Sequence, residues 1–114
     1  MISLISIDEI DEGNSKGIDY ENAYLFAIKK NDQIHLYWNR CPHLGTPLEW
    51  QEDNFLDEDG ELIKCSTHGA LFNIDDGLCL IGPCKGKNLQ KIPFIIDNGI
   101  LSVEEKYLTP PTRY

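Results

Sequence analysis

Short spans of alternating apolar and polar residues run through this chain, and they predict strands. Met1 to Ile7 (MISLISI) alternates weakly and reads as the first strand. Asp8 to Gly17 is acidic and turn-like. Glu21 to Lys29 (ENAYLFAIK) is rich in aromatic and branched residues, a strong strand pattern. Asn31-Asp32 marks a turn, and Gln33 to Trp38 (QIHLYW) alternates again. On that strand Ile34, Leu36 and Trp38 share one face, with His35 and Tyr37 on the other. The two segments predict a β-hairpin with a short turn.

The character changes from Cys41 to about Lys87, where prolines and glycines interrupt the pattern. Gln51 to Glu61 (QEDNFLDEDGE) is an acidic insertion, expected to be a solvated excursion, with a partner-docking loop as the alternative. Leu62 to Cys65 and Ala70 to Ile74 read as short strands. Asp75-Asp76-Gly77 is a turn and Leu78 to Ile81 a returning strand. Ile92 to Asp97 and Ile100 to Glu104 flank Asn98-Gly99, a hairpin signal. The tail from Tyr107 to Tyr114 contains Pro110-Pro111 and reads as an extended arm. No stretch has amphipathic helical periodicity, and there is no repeat or glycine-rich phosphate loop. The pattern predicts an all-β domain with a loop-built subdomain inserted between its halves.

The length of 114 residues suits one domain with its own core. With 41% hydrophobic and 25% charged residues, the composition is that of a globular protein. Acidic residues outnumber basic ones 19 to 10, a net charge of −9. That balance disfavours nucleic acid, whose phosphates need clustered Lys and Arg. It favours a basic protein partner, or serves only solubility. No segment approaches the ~20 apolar residues of a membrane span. The N-terminus lacks the basic start and cleavage site of a signal peptide, so a cytoplasmic location is expected. Cysteines there are more often metal ligands or thiols than disulfides.

Two pentapeptides concentrate the chemistry. CPHLG spans Cys41 to Gly45 and CSTHG spans Cys65 to Gly69, and they hold two of the four cysteines and two of the three histidines. Written together they are Cys41-x-His43, then 21 residues, then Cys65-x-x-His68. Gly45 and Gly69 permit tight turns, and Pro42 stiffens the first loop. Buried packing residues would explain one such pair but not two. A nucleophilic Cys/His pair would leave the duplication unexplained. A tetrahedral zinc site is open to this donor set, although zinc fingers usually draw two Cys from one knuckle and two His from another. One Cys and one His from each loop suit a diiron centre with both thiolates on one iron and both imidazoles on the other.

These boxes resemble those of the Rieske [2Fe–2S] proteins. The likeness is tightest over CPHLGTPLEW and CSTHGALF, and extends to Gly82-Pro83, which resembles the family's proline loop. The resemblance implies an antiparallel β-sandwich base, residues 1–39 and 88–114, with a cluster-binding subdomain over about 40–87. It implies that Cys41 and Cys65 bind one iron and His43 and His68 the other. Leu44, Leu71 and Pro83 become candidates for an apolar wall around the centre. High-potential members carry a further cysteine in each box, where this chain has Thr46 and Thr67. Their serine and tyrosine hydroxyls near the cluster correspond here to Ala70 and Phe72. Hydrogen bonds to sulfur stabilise the reduced, more negative state, so the departures imply a low-potential centre. Cys79 and Cys84 lie outside both boxes and are expected to pack in the core. His35 is expected to be structural or at the surface, not catalytic.

The resemblance implies a non-enzymatic one-electron carrier, monomeric, of the kind of the family's small stand-alone ferredoxins. Its partners would be a reductase donor and an oxygenase or other acceptor, with no nucleic acid or membrane. Two alternatives stand beside it. One is the Rieske small subunit of a multi-subunit reductase such as nitrite reductase. The other is a zinc-stabilised binding module.

Overall fold

The computed structural model describes residues 1–21, 23–39, 55–65, 69–82 and 85–108. These residues form three antiparallel three-stranded sheets. The strands are β1 (Ile2–Ser6), β2 (Asn14–Tyr20), β3 (Ala23–Lys30), β4 (Gln33–Trp38), β5 (Leu62–Cys65), β6 (Ala70–Asn73), β7 (Cys79–Ile81), β8 (Ile95–Asp97) and β9 (Ile100–Val103). The sheet orders are β1-β9-β8, β2-β3-β4 and β5-β6-β7. Helical structure among the described residues is confined to two 3-10 turns, Ile7–Glu9 and Glu105–Leu108. No helix there is long and apolar enough to cross a membrane. The all-β expectation holds.

Both expected two-residue hairpins form. Asn31 and Asp32 have φ of 54° and 63°, and Asn98 and Gly99 have 53° and 77°. Left-handed backbone at both central positions matches the right-handed twist of the flanking strands. Glu12 reinforces the first turn, its carboxylate accepting from Asn31 N at 2.8 Å and Asp32 N at 3.0 Å. These bonds hold the Glu12 carboxyl below its usual pKa.

The middle sheet separates two cores because β3 is buried on both faces. Alternation along Leu25-Phe26-Ala27-Ile28 sends Leu25 and Ala27 one way and Phe26 and Ile28 the other. The first pair packs with Leu36, Trp38, Ile92, Leu101 and Val103. The second packs with Tyr37, Phe55, Ile63, Phe72 and Cys79, joining the middle sheet to β5-β6-β7.

Three expectations are corrected. The region Asp8 to Gly17 is not all turn, because β2 begins at Asn14 and pairs with β3 from Asn14↔Lys29 to Tyr20↔Ala23. Its sequence, NSKGIDY, lacks apolar alternation; partnership with β3 makes it a strand. The tail begins as a 3-10 turn with Leu108 buried in the first core, and residues 109–114 lie outside the described residues. The acidic insertion, as far as it is described, is not a solvated excursion. Phe55, Leu56 and Asp57 run antiparallel to β5, with Lys64 N donating to Phe55 O and Asp57 N to Leu62 O, both at 2.9 Å. The Asp57 carboxylate closes the tip by accepting from Glu61 N at 3.0 Å. Lys30 fastens that tip to β3, donating to Gly60 O at 2.8 Å and pairing with Glu61 at 3.2 Å.

Candidate metal centre

Of the four expected ligands, the described residues include Cys65. Cys41, His43 and His68 lie outside them, as do Leu44, Thr46, Thr67, Pro83 and Cys84. Among the described residues no three His, Cys, Asp or Glu side chains gather at a metal-sized site. Cys65 ends β5, opposite Ala70 on β6, so the second box caps the β5–β6 hairpin. Gly69 N donates to Cys65 O at 2.8 Å, drawing the box's two ends together. Gly69 has φ +69°, which its missing side chain permits without strain.

Strand alternation assigns the faces. Ile63, Cys65, Ala70 and Phe72 point into the second core, and all are fully buried or nearly so. Lys64 and its partner Leu71 point to the opposite face. Leu71 therefore stands on the other side of the sheet from the Cys65 side chain. Gly82 lies against Ala70: a Cβ there would come within 2.9 Å of Ala70 Cα and Cβ. This brings the end of β7 beside the Cys65 end of the hairpin.

The opposite end of this sheet is pinned to the middle sheet. The Tyr37 hydroxyl on β4 donates to Ile74 O in the β6–β7 turn. Burial, then the nearby Asp76 and Asp75, push the Tyr37 phenol well above its usual pKa, so it remains a donor. Gly77 fits beneath that ring, where a Cβ would lie 2.9 Å from Tyr37 Cε1. Phe55 stacks on Phe26 with centroids 4.4 Å apart. Neither the Tyr37 contact nor the Phe55 anchor was read from the sequence. A lone aromatic within an acidic run was the available signal for Phe55. Cys79 is buried as expected, its thiol donating to Ile81 O at 3.4 Å.

His35 is structural in its setting, with its side chain 11% exposed and Nε2 3.9 Å from Asp75 Oδ1. Burial lowers its pKa below 6.5, against the opposing pull of Asp75 and with a smaller push from Lys91. The unfolded chain thus takes up this proton at higher pH than the folded one. Stability from neutral His35 is present above the unfolded pKa and is lost as pH falls below about 6.5 towards the depressed folded value. Urea midpoints at pH 7.5 and 5.0 should therefore differ less in His35→Gln than in the parent. An equal difference in both would contradict the assignment.

A cysteine sulfur at the water-free inner end of a glycine-closed hairpin suits a thiolate-bound iron, and the sequence supplies a second thiol and two imidazoles. Fold and donor set together are those of a Rieske domain. The family model "Rieske [2Fe-2S] domain" matches residues 1–96, and the chain belongs to that family. Its cofactor is a Rieske-type [2Fe–2S] cluster.

Three relatives and two solved structures define the likeness further. The chain is 27% identical over 96 residues to the ferredoxin component of the naphthalene 1,2-dioxygenase system of Pseudomonas aeruginosa, covering 84% of this chain and 86% of that protein. It is 25% identical over 75 residues to apoptosis-inducing factor 3 of Mus musculus and Homo sapiens; the match covers 66% of this chain but only 12% of those proteins' length. The Sphingomonas yanoikuyae B1 ferredoxin superposes with a TM-score of 0.73 at 21% identity, over 90% of this chain and 96% of that one. A chain from the complex of reduced oxygenase and oxidized ferredoxin in carbazole 1,9a-dioxygenase gives 0.70 at 20% identity, over 88% of both. At these identities the structures speak for the fold.

Proposed function

We propose that this protein is a cytoplasmic one-electron carrier, not itself an enzyme, that takes electrons from a reductase and delivers them to an oxygenase or another acceptor. The family match over residues 1–96 carries this reading. The near full-length likeness to a dioxygenase ferredoxin component supports it. Cys41 and Cys65 would hold one iron, His43 and His68 the other, within a cluster-binding subdomain over about 40–87 set on a base of 1–39 and 88–114. When bound, the cluster supplies storage of a single electron at a potential raised by its neutral imidazole ligands. The chain's own part is to hold the donors, exclude water and present a docking face. Cys65, Ala70 and Phe72 do the second on the hairpin side, being at most 1% exposed.

The test is an optical and EPR spectrum of anaerobically purified protein before and after dithionite, with iron and zinc analysis. A red-brown protein with two irons per chain and a reduced signal of low average g supports the carrier. A colourless protein holding zinc overturns it.

The potential should be low. Ala70 and Phe72 offer no hydroxyl, and both are packed into the core. Rieske centres span about −150 to +300 mV, and this one is expected in the lower half. Restoring hydroxyls with Ala70→Ser and Phe72→Tyr should raise the midpoint. A redox titration placing the parent above about +100 mV would contradict the expectation.

A further inference from the structure

Two side chains of β4 hold one turn of another sheet. His35 and Tyr37 stand two apart on the strand and so share a face, the one turned to the second core. Both reach the β6–β7 turn. The Tyr37 hydroxyl donates to Ile74 O, and His35 Nε2 lies 3.9 Å from Asp75 Oδ1. Gly77 completes the seat: a Cβ there would stand 2.9 Å from Tyr37 Cε1 and 3.1 Å from Leu89 Cβ. Leu89 belongs to a segment that β4 itself holds, with Trp38 N donating to Gln90 O and Ile92 N to Leu36 O, both at 3.0 Å. Leu89 N donates across to Gly77 O at 2.9 Å. The turn is fastened to the β4 side by these contacts, and one of them carries an ionisable ring.

That ring and its acid differ in setting. The His35 side chain is 11% exposed and the Asp75 side chain 92%. At 3.9 Å the pair is beyond hydrogen-bond reach, so His35 sits there as a packed ring. The charges that face it are Asp75 in the turn and Lys91 on the segment beside β4; Asp76 lies near Tyr37, and the β3 partner of His35, Ile28, brings none. We propose that β4 and the β6–β7 turn form an acid-released joint between the middle sheet and the sheet carrying Cys65: neutral His35 keeps the turn seated, and a proton on His35 lifts it. An imidazolium left in place would face the apolar core. Moving out with the exposed Asp75 carboxylate restores its water and keeps a counter-ion. The turn goes with Asp75, and the Leu89–Gly77 bond opens. Because burial holds the folded His35 below 6.5, the joint is closed at neutral pH and releases as pH falls below that value. The joint involves no electron transfer, so it goes beyond the carrier reading and stands or falls apart from it.

Amide hydrogen exchange in the oxidised, cluster-loaded protein at pH 7.5 and 5.5 tests this, with protection corrected for the intrinsic pH dependence of exchange. Leu89 N reports the joint. Ile92 N, on the same segment but bonded to β4, is the reference. Leu89 protection should fall on the order of three- to tenfold between the two pH values while Ile92 holds. His35→Gln should abolish that fall. Asp75→Asn removes the pull towards the charged ring and should enlarge it; Lys91→Gln removes the opposing push and should shrink it. Tyr37→Phe should lower Leu89 protection by the same factor at both pH values, since the phenol does not titrate in this range. An equal fall in the parent and His35→Gln, a matching fall at Ile92, or charge variants that move the fall in the other directions would overturn the joint. Cluster uptake and the reduced EPR signal bear on the carrier alone.

Discussion

Cys65→Ala should purify colourless, with its iron falling from two per chain towards none. The sulfur lost is the proposed donor, which the β5–β6 hairpin holds at its inner end, fully buried and opposite Ala70. An alanine methyl cannot ligate iron, and no described cysteine other than Cys79 stands near to replace it. The informative comparison is Cys79→Ala. Cys79 is equally deep in the same core, but its thiol is engaged with Ile81 O and it lies outside both boxes. That variant should keep colour and iron while losing some stability to the small void. Iron content and the reduced EPR signal of the two variants check the assignment. Cluster retained in Cys65→Ala, or lost equally in both, would reject Cys65 as a ligand. Because metal binding is coupled to folding, Cys65→Ala should also unfold at lower denaturant than the loaded parent.

Phe55→Ala should be the most destabilising single truncation in the acidic segment, at about 3–5 kcal/mol. Phe55 is fully buried, and its ring lies nearly parallel to Phe26, 5° apart at 4.4 Å. Phe26 in turn stacks on Tyr37 at 5.6 Å, so Phe55 continues an aromatic column rising from the middle sheet. Removing it opens a cavity between that sheet and β5, the strand that carries Cys65. With a urea slope of about 1–2 kcal/mol per molar, the midpoint should drop by roughly 2 M or more. Leu56→Ala, at a half-buried position one residue on, should cost less. If the insertion were a solvated loop, Phe55→Ala would stay within about 0.5 kcal/mol of the parent. Equilibrium unfolding of the three proteins decides between these outcomes.

Much of the β framework was legible because its signals are local. Asn31-Asp32 and Asn98-Gly99 supply the left-handed residues that two-residue hairpins require, whatever the rest of the chain does. Alternation in QIHLYW and the branched run in β3 mark strands for the same reason. The two Cys/His boxes were also legible, because paired soft and imidazole donors beside glycines serve few purposes other than metal binding. The tertiary structure decided what depends on partners distant in sequence. NSKGIDY is a strand only because β3 has an edge to pair with. β3 serves two cores only because another sheet covers each of its faces. Phe55 sits among acids in the sequence, yet it is a core residue because the hairpin returns it to Phe26. The charge of −9 is likewise a sum over the chain. Only the strand register shows that Lys64 and Ile81 share a row beside Cys65, because a net charge carries no positions.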